Sequence, residues 1–139
     1  MQIDILKLHP DAIVPTYGTD GAACFDLYSV EDVNNVFGRA VVDTGLAFQV
    51  PDEHALFIKP RSGLAFKQAC HAFAGTIDAD FRGSVKVLLV HERNSTITVK
   101  KGDRIAQAMI IPVPRVTFRV MEQLSITERG DGGYGSTGR

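Results

Sequence analysis

The chain has 139 residues, which fits one domain around a single core that needs no disulfide or structural metal. Apolar residues make up 45% and charged residues 22%, which excludes extensive disorder. Lys and Arg number 15 against 16 Asp and Glu, and a net charge of −1 excludes a protein that coats nucleic acid through its phosphates.

Short apolar runs separated by turn residues dominate the pattern. The first spans residues 3–8 and the second 22–28. Residues 41–42 and 46–50 flank the turn-like Asp43-Thr44-Gly45, and 54–59 follows the break at Pro51-Asp52. One segment, 63–69, reads as a helix of at most two turns, because it holds good helix formers and no β-branched residue. Residues 84–91 form the clearest strand, with Val85 and Val87 alternating against Ser84 and Lys86. Strands are also predicted at 97–99, 104–111 and 117–120. Pro112 and Pro114 stop the ladder between the last two, since proline cannot donate to it. Val, Ile, Thr and Phe favour the pleated conformation. Turn signals about every 8–12 residues suit a sandwich or barrel. The expected fold is therefore all-β.

The tail differs. Gly130, Gly132, Gly133, Gly135 and Gly138 surround one aromatic residue, Tyr134. Such a segment cannot bury its own surface and is expected to be a flexible arm. The expected division is a β domain over 1–128 and an arm over 129–139. No apolar run approaches the roughly 20 residues of a membrane helix. Residues 1–10 include Asp4 and lack the basic-then-apolar layout of a secretory leader. The expected location is the cytoplasm, or the host cytoplasm for a viral chain. Cys24 and Cys70 form no Cys-x-x-Cys pair and the four histidines show no metal-ligand spacing, so neither a disulfide framework nor a metal cage is expected.

Three segments could carry chemistry. Pro60-Arg61-Ser62-Gly63 leads into the short helix, where free backbone N–H groups, a guanidinium and a hydroxyl can seat a phosphate. The same residues also suit an N-cap serine beside a surface ion pair. Residues 75–83 place Asp78, Asp80, Phe81 and Arg82 between two glycines. In an ideal strand Asp78 and Phe81 would lie on opposite faces, so the chain must turn if both meet one ligand. Carboxylates in turns also serve structure alone. In the tail, Arg129, Tyr134, Ser136 and Thr137 could wrap phosphates and stack on a base, or simply end the chain. Together these parts point to a nucleotide, without showing which one.

The chain resembles the homotrimeric dUTP pyrophosphatase (dUTPase) family, with five motifs in order. They are Ala23-Cys24-Phe25-Asp26-Leu27-Tyr28-Ser29, Pro60-Arg61-Ser62-Gly63-Leu64-Ala65, the stretch from Ala74 to Gly83, Lys101-Gly102-Asp103-Arg104-Ile105-Ala106-Gln107, and the stretch from Arg129 to Gly138. The resemblance implies a distorted jelly-roll-like β-barrel with one short helix and a flexible arm that closes over the active site. It also implies a homotrimer with active sites at subunit interfaces, and hydrolysis of dUTP to dUMP and pyrophosphate with Mg²⁺. That reaction limits uracil in DNA and supplies dUMP for dTTP synthesis. Direct nucleic-acid binding and membrane association are not expected.

By the same resemblance, Asp78 would be the base that activates water; a carboxylate is ionised at neutral pH, as a base must be. Phe81 would lie against the deoxyribose. The backbone around Ala72, Gly75, Thr76 and Ile77 would form a hairpin that reads the uracil edge. Arg61, Ser62, Gly63 and Gln107 would hold phosphates, and Asp26 would meet the metal through water. Asp103 and Arg104 look like scaffold. Arg129 would meet the γ-phosphate, Tyr134 would cover the uracil, and Gly135, Ser136 and Thr137 would close over the phosphates. Phe81 stands where the family usually has Tyr, Tyr134 where Phe is usual, and Cys24 where Gly is often found. The rings are kept at both places. The rivals are a dCTP deaminase-like or bifunctional dCTP/dUTP enzyme and a nucleotide-binding regulatory trimer. Deamination would be expected to use a pocket glutamate, and no Glu lies between Arg61 and Gly83.

Overall fold

A computed structural model of the chain describes residues 1–73, 75–92 and 96–133. In chain order the elements are β1 (Asp4–Lys7), β2 (Thr16–Tyr17), β3 (Phe25–Tyr28), β4 (Val33–Phe37), β5 (Arg39–Asp43), β6 (Leu46–Gln49) and β7 (His54–Lys59). Then come α1 (Ser62–Gln68), β8 (Cys70–Phe73), β9 (Thr76–Ile77), β10 (Lys86–His91), β11 (Thr96–Val99) and β12 (Arg104–Pro112). All-β with one short helix is the expected class, and the helix falls one residue before its predicted span. It ends where Ala69 turns left-handed at φ 49°.

Apolar alternation decides which way each strand faces. In β5, Ala40 and Val42 point inward and Val41 outward; in β11, Ile97 and Val99 point inward. Leu27, Leu46, Leu56, Leu89 and Ile105 fill the core with Val42, Val85 and Val87. Two polar residues share it and both are satisfied. The Ser29 hydroxyl donates to the Glu31 carbonyl at 2.6 Å, and Thr44 donates to that of Val85 at 2.7 Å. Cys24 and Cys70 are free thiols, as expected, and burial pushes both above the ordinary thiol range.

The ladders are antiparallel and do not close into a barrel among the described residues. They form four sheets: β1-β6, β5-β10-β8, β11-β4 and β2-β3-β12-β7-β9. The strands β2 and β9 pair over only two residues each. The last strand of the pattern, at 117–120, is absent. Residues 113–128 run without a ladder, with Phe118 93% and Val120 98% exposed. A strand needs a partner to satisfy its backbone, and no described strand lies beside this one.

The β12 strand holds the largest sheet together, pairing with β3 on one side and β7 on the other. The first residues after the Asp78 loop are anchored separately. Ser84 hydrogen-bonds the Asp43 carboxylate, and the Val85 N–H donates to the Leu46 carbonyl at 2.8 Å. Gly45, at φ +65°, completes that anchor by accepting no side chain: a Cβ there would stand 2.9 Å from the Cβ of His9.

Candidate active site

Three strands bring the first group of predicted residues together. Asp26 on β3 lies across from Gln107 on β12, which lies across from Lys59 at the end of β7. Pro60 and Arg61 follow directly. The Arg61 Nε donates to Asp26 Oδ1 at 3.0 Å, and the Gln107 Nε2 donates to the Pro60 carbonyl at 2.9 Å. The expected N-cap serine is not one: Arg61 is the cap residue, without a side-chain cap bond, and Ser62 and Gly63 open the helix exposed.

Arg104 belongs to this group although the sequence suggests only scaffold. Its guanidinium reaches Asp26 Oδ2 at 3.3 Å, and its carbonyl accepts from Arg61 at 3.1 Å. A register shift between Arg104 and Ala106 explains it. The irregularity makes Ile105 and Ala106 both buried and re-aims Arg104 outward along β3. No pattern in the sequence marks such a shift. Asp103 is scaffold as expected, its carboxylate accepting the Lys100 N–H at 2.9 Å. Two guanidinium groups thus share one carboxylate whose side chain is 13% exposed. The local charge is positive, and each arginine keeps N–H donors for an anion. Both line a cleft of about 520 Å³ with Leu64, Gln68 and His91.

The second group is a turn. The Phe81 N–H donates to the Asp78 carbonyl at 3.2 Å, closing a β-turn over residues 78–81. Arg82 locks it, donating to the carbonyls of Ala79 at 2.6 Å and Phe81 at 3.0 Å. The turn that Asp78 and Phe81 need in order to meet one ligand is therefore present. Asp78 and Asp80 line a second cleft of about 430 Å³ with Glu53, His54 and Arg115.

The segment before this turn is not a ladder with itself among the described residues. β8, with Ala72, pairs with β10, while β9, with Thr76 and Ile77, pairs with β7. The described ends of the predicted hairpin thus pair in two different sheets. Gly75 makes this possible by pressing against β7: the Ile58 N–H donates to the Gly75 carbonyl at 2.7 Å, and a Cβ on Gly75 would stand 2.5 Å from the Ile58 carbonyl oxygen.

These two groups sit apart within one chain. Ile77 pairs with Leu56, so Asp78 lies near Ala55, five residues along β7 from Pro60. At strand rise that is about 16 Å. The two clefts share no lining residue. Of the arm, Arg129 folds locally, its Nε donating to the Gly132 carbonyl at 2.7 Å. Tyr134, Gly135, Ser136 and Thr137 lie outside the described residues.

A protein-family model described as dUTPase matches residues 10–138. The deoxyuridine 5'-triphosphate nucleotidohydrolase of Nautilia profundicola is 48% identical, with all of both chains covered. The chain belongs to the dUTPase family. Among solved structures, the dUTPase of Staphylococcus bacteriophage 80alpha with dUPNHPP superposes with a TM-score of 0.89 at 26% identity, over 99% of each chain. A dUTPase mutant from phage phi11 of S. aureus, described for its coordination of a structural Mg(II) ion, has a TM-score of 0.81 at 19% identity over 91% of this chain and 100% of its own. Among the described residues no helix is long and apolar enough to cross a membrane.

Proposed function

We propose that this chain hydrolyses dUTP to dUMP and pyrophosphate. The observation that carries the reading is the turn whose backbone bond joins Asp78 and Phe81, in a chain of the dUTPase family. Asp78 takes the proton of the attacking water as the bond between the α- and β-phosphates breaks. Phe81 covers the deoxyribose and leaves no space for a 2′-hydroxyl. Backbone groups at Ala72, Gly75, Thr76 and Ile77 face the base edge. Arg61, Ser62, Gly63 and Gln107 hold phosphates, and the 129–139 arm, with Arg129, Tyr134, Gly135, Ser136 and Thr137, closes over the nucleotide bound to the 1–128 domain. The work of the enzyme would be to keep uracil out of DNA and supply dUMP, in the cytoplasm or in that of a host.

Mg²⁺ fits this donor set as an ion carried by the substrate. Among the described residues no three His, Cys, Asp or Glu side chains converge into a cage. Each Asp26 oxygen holds one guanidinium N–H and keeps a free lone pair, enough to accept from a metal-bound water. Mg²⁺ prefers just such a shell of phosphate oxygens and waters. When bound it would orient the triphosphate and neutralise charge on the leaving group.

The test is pyrophosphate release from dUTP, UTP, dTTP and dCTP with Mg²⁺. The expected result is turnover of dUTP with kcat/KM at least about 10²-fold above that for UTP. Equal values for the two, or ammonia from dCTP, would overturn the reading.

The separation of the two groups supports a homotrimer with shared sites. Arg61 of one copy and Asp78 of another can face one nucleotide where a single chain keeps them at opposite ends of β7. Apolar surface supports assembly. Val41, Leu88 and Phe73 lie in one row across β5, β10 and β8, with Val41 and Phe73 exposed, and Val116, Phe118 and Val120 alternate in the unpaired segment. Light scattering should give three times the chain mass. Phe118→Asp should shift the mass toward the monomer and remove turnover with it. An active monomer would refute the shared site.

A further inference from the structure

We propose that Gly83 determines the specificity of this site, because its missing Cβ is the seat of the Phe81 ring. The inference rests on the dUTP reading above.

Phe81 is 42% exposed, and part of its cover is Gly83. A Cβ built on Gly83 would stand 2.6 Å from Cζ of the ring, 3.0 Å from Cε2 and 3.4 Å from Cε1. The far edge of the ring therefore folds back onto the Gly83 backbone. Backbone conformation does not explain the glycine. The positive-φ glycines among the described residues are Gly38, Gly45, Gly102 and Gly130, so any L-residue could adopt the Gly83 conformation. What excludes a side chain there is the ring alone.

Neither side of the contact can slide away. On the ring side, the 78–81 turn is closed by its own backbone bond and by two bonds from Arg82. On the glycine side, Ser84 is bound to Asp43, and Val85 exchanges backbone bonds with Leu46 and Thr44 at 2.8 and 3.2 Å. A methyl group at Gly83 must therefore be accommodated by rotating the ring out of its seat. The displaced ring no longer lies against the sugar in the position that accepts deoxyribose and rejects ribose. Gly83 acts through Phe81 and is a positioning residue.

The test compares wild type, Gly83→Ala, Phe81→Ala and the double variant, with dUTP and UTP as substrates. Gly83→Ala should raise KM for dUTP by about tenfold with kcat within about threefold, since the ring contacts ground state and transition state alike. The kcat/KM ratio of dUTP to UTP should fall by a similar factor. In the Phe81→Ala background, Gly83→Ala should change neither KM nor the ratio. Equal effects in both backgrounds would show that Gly83 acts through the backbone and would overturn the proposal, as would an unchanged ratio in the single variant. If Gly83→Ala melts too early to assay, the double variant should recover the melting temperature by removing the clash; no recovery overturns the proposal. Wild type that releases no pyrophosphate from dUTP would sink the dUTP reading itself, a result distinct from all of these.

Discussion

Asp78→Asn should lower kcat for dUTP by about 10²–10⁴-fold and leave nucleotide affinity within a few-fold. The asparagine amide is nearly isosteric with the carboxylate and cannot take a proton from water. The turn should survive, because the Asp78 backbone carbonyl, not its side chain, accepts the Phe81 N–H. Among the described residues no ion pair or side-chain hydrogen bond engages the Asp78 carboxylate, so the substitution removes a base and no structural contact. Pyrophosphate release gives kcat, and calorimetry with a non-hydrolysable imido analogue of dUTP gives affinity. A near-normal kcat would pass the role of base to Asp80 or to another group in the same cleft.

Deleting residues 128–139 should lower kcat/KM by about 10²-fold or more, since one preorganised donor to developing charge is typically worth 10²–10³-fold. Its arginine, ring and hydroxyls are groups that a triphosphate nucleotide needs, and lid closure commonly completes such a shell. Melting temperature and assembly mass should stay nearly unchanged. The last ladder ends at Pro112, and residues 114–131 are exposed, so the deletion takes away no strand and no described core residue. The Gly130 N–H, bound to the carbonyl and hydroxyl of Thr127 at 3.1 Å each, is part of a local turn only. A truncated protein that falls apart would make the arm structural. One that turns over normally would make it a passive tail. Either result overturns the lid assignment.

Much of the fold is legible because its causes are local. The strands β7 and β12 fall close to the predicted 54–59 and 104–111, since each is a mostly apolar run between breaking residues. The Asp43-Thr44-Gly45 turn is legible for a similar reason: the Gly45 N–H donates to Asp43 Oδ1 at 2.7 Å, a bond between near neighbours. The strand β4, Val33–Phe37, is missed because its Asn34-Asn35 reads as a turn, and it holds through pairing with β11, as between Ile97 and Val36, far along the chain. The predicted strand at 117–120 has the alternation but no partner, and alternation alone does not make a ladder.

The chain's residues determine by themselves which segments extend, where they turn, that the class is all-β, and which motifs place it in the dUTPase family. Those properties depend on neighbours one to four positions apart. Only the tertiary structure decides that Asp26 holds both Arg61 and Arg104, 35 and 78 residues away, because strand register and the β12 irregularity set those distances. It alone sends β8 and β9 to different sheets, and it alone sets the Phe81 ring where a Gly83 Cβ would stand. Each of these is a contact between backbones that approach only after the sheets have packed, and no short-range preference encodes such an approach.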